Sequence, residues 1–138
     1  MRLSINLLSY KILTNQPILL DLRINQGDTF ILDLFFTAEF NYLFPYVLFG
    51  ASVLFTAKRL PSDTDSNAVI KHDTRSQINS MGGEVVLTLT PEMTNIPAGN
   101  YLYSIKVVES SGKITSVMKG NFCVEMDITN RNEPIYEL

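Results

Sequence analysis

A chain of 138 residues fits one compact domain and is too short for two. With 46% hydrophobic and 18% charged residues it has the apolar material for a core, which excludes wholesale disorder. Eleven Lys and Arg against fourteen Asp and Glu leave a net charge of −3, which argues against nucleic acid as the principal ligand.

Period-2 alternation dominates, and no stretch of helical length keeps apolar residues at i, i+3, i+4 and i+7, so strands are expected throughout. Leu3, Ile5 and Leu7 alternate with Arg2, Ser4 and Asn6 and predict a short strand at the start of an N-terminal arm, residues 1–25. After the polar break Thr14-Asn15-Gln16-Pro17, a second run places Leu20, Leu22 and Ile24 on one face. Gln26-Gly27-Asp28 supplies a turn into Thr29–Thr37, whose apolar face is Phe30, Leu32, Leu34 and Phe36. The aromatic stretch from Glu39 to Gly50, broken by Pro45, reads as a packed connecting loop. The strand Ala51–Arg59 follows, with Val53, Phe55 and Ala57 pointing inward.

Pro61–Asn67 is turn-forming and leads to a short strand near Ala68–His72 and a looser segment up to Gly83. Glu84–Thr90 is a plain strand with Val85, Leu87 and Leu89 on one side. Pro91 stops it, and Thr90 is placed to cap one helical turn over Pro91–Thr94. Tyr101–Val108 and Ile114–Met126, joined by Ser110-Ser111-Gly112, predict a hairpin that buries Phe122, Val124 and Met126. Residues 127–138 form a polar tail. About eight short strands with turns between them predict an all-β, immunoglobulin-like antiparallel β-sandwich over residues 26–126. Tyr101 opens a strand directly after a crossing turn, the position from which a tyrosine hydroxyl bonds back to the corner backbone.

Catalytic and metal templates lack parts. One Cys, Cys123, forms no internal disulfide, and one His, His72, is far short of a zinc set. Asp63-Thr64-Asp65 begins like a calcium loop but lacks the glycine and the distal Glu, and no phosphate-binding glycine motif occurs. The expectation is therefore a protein without catalysis or cofactor. The apolar stretch Phe40–Phe55 is interrupted by Asn41, Pro45, Gly50 and Ser52, so no membrane partner is expected. Apolar side chains instead remain on the outer phase of the strands: Ile31, Phe35, Leu54, Val86 and Val108. Such an exterior predicts a binding surface for partners, with Leu3, Ile5 and Leu7 adding a strand to a neighbour's sheet edge. A connecting loop folded over one sheet is the alternative cover for these side chains.

Several motifs occur in a recognisable order: Gln26-Gly27-Asp28-Thr29-Phe30, Leu48-Phe49-Gly50-Ala51-Ser52-Val53, Gly83–Leu89, Ile96-Pro97-Ala98-Gly99-Asn100-Tyr101-Leu102-Tyr103, and Gly120-Asn121-Phe122 with Asp127-Ile128-Thr129. In this succession the chain resembles a family of small phage tail and baseplate proteins, including the N-terminal domain of phage upper-baseplate proteins. The extension Met1–Asn25 and the aromatics of Glu39–Val47 depart from the family pattern. The resemblance implies an immunoglobulin-like sandwich serving as a multi-copy structural or adaptor subunit of a virion, gripped by other virion structural proteins. A capsid decoration subunit is the second reading. A carbohydrate-binding module with Tyr42, Phe44, Tyr46 and Phe49 as a stacking platform is the third, weakened by the absence of Trp.

Overall fold

A computed structural model describes residues 2–8, 17–38, 41–45, 48, 50–75, 78–79, 83–129 and 134–136. They form an all-β sandwich of two sheets, as the alternation predicts. The first sheet contains β1 (Arg2–Leu8), β4 (Phe30–Ala38), β9 (Glu84–Leu89) and β8 (Ile78–Asn79) in that order, with β5 (Asn41–Pro45) also paired to β4. The second runs β2 (Ile18–Leu19), β11 (Ile114–Glu125), β10 (Gly99–Val108), β6 (Ser52–Lys58) and β7 (Ile70–Asp73), and β3 (Leu22–Asn25) also pairs with β11.

Alternation places one phase of each strand between the sheets. Phe30, Leu32, Leu34 and Phe36 of β4 and Val85, Leu87 and Leu89 of β9 are buried from one side. Leu22, Ile24, Val53, Phe55, Ala57, Tyr103, Ile105, Val107, Phe122 and Val124 meet them from the other. Phe55, Tyr103 and Phe122 form an aromatic cluster at the centre: the first two rings stack with centroids 5.7 Å apart, and Phe122 meets Phe55 edge-on at 5.7 Å.

Four expectations need correction. The N-terminal residues are not an arm detached from the sandwich, because β1 pairs in parallel with β4 of its own chain, Leu3 opposite Leu32, Ile5 opposite Leu34 and Leu7 opposite Phe36. Nor are the sheets purely antiparallel, since β2 and β3 also run parallel to β11. The reason is topological. A parallel pair requires a crossover, and here the chain leaves β1, runs through β2 and β3 in the opposite sheet, and returns to β4 beside β1. The expected loop after Glu39 contains β5, antiparallel to β4 beyond an irregularity at Thr37 and Ala38, with Pro45 as its last residue. Met126 is exposed, lying one residue beyond the end of β11 at Glu125.

The corner before β10 is held at several points. Pro91 opens the helical turn Pro91–Thr94, and the Thr90 hydroxyl accepts the Met93 N–H. The buried Thr94 hydroxyl donates to Asp28 O at 2.7 Å, tying this turn to the β3–β4 turn. Tyr101 is buried, and its hydroxyl donates to Pro97 O. Replacing Tyr101 with Phe deletes that bond and leaves the ring, so a loss of about 1 kcal/mol is expected in thermal or urea unfolding. An unchanged midpoint would show that the hydroxyl does not hold the corner.

Candidate functional site

The outward phase of the second sheet forms the candidate site. Because Val53, Phe55 and Ala57 of β6 point inward, Leu54, Thr56 and Lys58 point out. The same logic turns Leu102, Ser104 and Lys106 of β10 outward. Register assembles these residues into rows across the strands: Lys58, Leu102 and Asn121 in one, Thr56, Ser104 and Lys119 in the next, Leu54 and Lys106 in the third. In β11 the residue Val117 is extra, lying between the partners of Ile105 and Lys106, so that Val117 and Met118 are both buried.

These rows line a groove of about 540 Å³, which Leu19 borders on the β2 side and Pro61 and Asp65 on the β6–β7 side. That volume lies within the ordinary range for small-ligand sites. Three leucines, Leu19, Leu54 and Leu102, supply apolar surface, and Lys58, Lys106 and Lys119 supply charge. Lys58 is fixed: its Nζ donates to Asp63 O at 2.8 Å and lies 2.7 Å from Asp65 Oδ1. The Asp63 carboxylate accepts Leu60 N–H at 3.2 Å, which closes the turn carrying Pro61. The Lys58 hydrogen bond and its charge hold the Asp65 carboxyl below its ordinary pKa, and the charges of Lys106 and Lys71 act in the same direction. Three ammonium groups around a single carboxylate make the groove a positive region on a chain of net charge −3.

One wall depends on a close backbone crossing. Leu20 N–H donates to Lys119 O at 3.0 Å, Asn121 N–H donates to Asp21 Oδ1 at 2.9 Å, and Tyr103 O–H donates to Leu20 O. Burial pushes the Tyr103 hydroxyl well above its ordinary pKa, with the Asp21 charge adding to the shift, so it stays a donor at neutral pH. The segment from Leu19 to Asp21 is thereby pinned over Gly120. A second depression of about 340 Å³ lies beyond Asn121, lined by Asp21, Arg23, Asn100 and Cys123.

The residues singled out from the sequence as partner-binding do not form one surface. Ile31, Phe35 and Val86 are half-buried on the outer face of the five-stranded sheet, and Asp33 between them is only 3% exposed. Leu54 and Val108 belong to the other sheet, on the opposite side of the sandwich, where Leu54 lines the groove. Leu3, Ile5 and Leu7 lie on a strand that is paired within the chain instead of reaching for a neighbour. The aromatics Tyr46 and Phe49 lie outside the described residues, and of Tyr42 and Phe44 only the backbone of β5 is described.

His72 is registered with Phe55 across β6 and β7, half-buried, and its Nε2 has no hydrogen-bond partner among the described residues. Among the described residues no three His, Cys, Asp or Glu side chains come close enough to hold a metal. Sequence reasoning missed the lysine triad. Each member is a charge on the outward phase of an alternating strand, an ordinary signal until register sets the three around one depression.

No family model and no curated protein matches the chain. Among solved structures, CopC from Methylosinus trichosporium OB3b matches at 15% identity with a TM-score of 0.41, over 84% of this chain and 89% of that one. The expectation of a phage tail, baseplate or decoration subunit is therefore corrected: the ordered motifs from Gln26 to Thr129 have no matching family behind them. At this level of similarity the likeness to CopC likewise assigns no ligand to this chain.

Proposed function

We propose that this chain is a binding module without catalysis, and that its ligand is an amphipathic organic anion seated in the groove on the outer face of the six-stranded sheet. The observation that carries the reading is the placement of Lys58, Lys106 and Lys119 around a floor of Leu54 and Leu102. Apolar surface gives such a ligand area to bury, and the ammonium groups with the Thr56, Ser104 and Asn121 side chains give its charged group donors. A purely polar anion would leave the leucines wet, and an uncharged apolar ligand would offer no counter-charge to Lys106 and Lys119.

The test uses anilinonaphthalene sulfonate as the anionic probe and N-phenylnaphthylamine as its uncharged counterpart. The sulfonate is expected to bind more tightly than the amine, and Lys106→Glu with Lys119→Glu is expected to weaken it about tenfold or more, since a hydrogen bond to a charged group contributes about 1.5–3 kcal/mol. Lys113→Glu, in the β10–β11 turn and outside the groove lining, should leave binding unchanged. Equal binding of the two probes, or a double variant that binds the sulfonate as the parent does, overturns the proposal.

A further inference from the structure

The natural occupant of this groove follows from the chain itself. We propose that it is the segment around Ile135 and Tyr136 of a second copy, joining copies head to tail. The inference rests on the groove being the binding site.

Residues 127–138 hold Asp127, Glu133 and Glu137 against one Arg131, so the segment is acidic where the groove is basic. Three of its described side chains are large, apolar and in water: Ile128 is 98% exposed, Ile135 68% and Tyr136 84%. Single exposed apolar residues are ordinary, but three large ones within nine positions form a segment suited to burial against a partner.

Ile135 and Tyr136 are exposed in the single chain, which means that its own groove does not hold them. A second copy offers an identical groove, and the contact is heterologous: tail of one copy, sheet face of the next. Such contacts build rings or open chains.

Sedimentation of the full chain over a range of concentrations tests this. The parent protein should associate as concentration rises. Lys106→Glu with Lys119→Glu spoils the groove, Ile135→Lys with Tyr136→Lys spoils the tail, and each double variant should stay monomeric about tenfold or more above the parent's association range. Mixing the two variants leaves one sound tail and one sound groove, so dimers that grow no further are expected. The tail variant should still bind anilinonaphthalene sulfonate, which separates this inference from the binding reading on which it rests. A parent chain that stays monomeric at every concentration, association that survives both variants, or a mixture that stays monomeric overturns the head-to-tail contact. Loss of sulfonate selectivity in the parent would instead remove the binding reading.

Discussion

Gly120→Ala is expected to lower stability by about 3 kcal/mol and to release the segment from Leu19 to Asp21 from the edge of the sandwich. A Cβ at position 120 would lie 2.3 Å from Leu20 O and 2.8 Å from Leu20 C. Both are backbone atoms, so no side-chain rotation relieves the contact and the chain itself has to move. That movement breaks the Leu20 to Lys119, Asn121 to Asp21 and Tyr103 to Leu20 hydrogen bonds together. It also displaces Leu19, a wall of the groove, so weaker binding of the sulfonate probe should accompany the loss.

Gly27→Ala separates this clash from simple backbone strain. Gly27 has φ +81° with nothing within 4 Å of an added Cβ, so its substitution costs only the left-handed conformation, about 1–2 kcal/mol. Urea unfolding of both variants, with hydrogen exchange at the Leu20 amide, checks the argument. If Gly120→Ala is no less stable than Gly27→Ala and keeps Leu20 protected, the close crossing is not a constraint.

The second large effect is expected at Phe122. Its ring is fully buried, 5.7 Å from Phe55 at 71° and 6.3 Å from Tyr103 at 62°. Truncation to Ala removes the apolar contact and leaves a cavity that two rigid rings do not easily fill, a combination that costs about 3–5 kcal/mol. Small domains hold only about 5–15 kcal/mol, so the variant is expected to approach or cross the unfolding threshold at moderate temperature. Met126→Ala, two residues beyond the last buried position of the same strand, is expected to change stability by about 0.5 kcal/mol or less. Calorimetry or urea melts decide: a Phe122→Ala loss near that of Met126→Ala would place the cluster outside the cooperative core.

The phase of each strand was legible in the residues. Val85, Leu87 and Leu89, or Phe30, Leu32 and Leu34, need only the period-2 geometry of an extended chain to be assigned to a buried face. The Pro91 stop, the Thr90 cap and the tyrosine at the head of β10 were similarly local, because a cap or a corner acts over three or four residues.

Outer faces were not legible in the same way. A half-apolar exterior residue looks alike whether a partner, a loop or nothing covers it, and only the structure shows Ile31, Phe35 and Val86 half-buried around a buried Asp33. The strand signal at Leu3, Ile5 and Leu7 is equally consistent with pairing to a neighbour or to β4, since alternation carries no information about the partner strand. Family-like motif order proved too weak to name a family, because turn glycines and strand tyrosines answer to sandwich geometry in many unrelated chains.

The amino-acid sequence by itself determined that this protein is all-β, where most strands begin and turn, and which side chains fill the space between the sheets. Tertiary structure alone decided that β1, β2 and β3 pair in parallel, that Leu54 and Val86 lie on opposite sides of the sandwich, and that Lys58, Lys106 and Lys119 surround one groove. The physical reason is range. Alternation and turn chemistry act between residues a few positions apart, whereas the groove depends on the register of strands that are separated by more than forty residues along the chain.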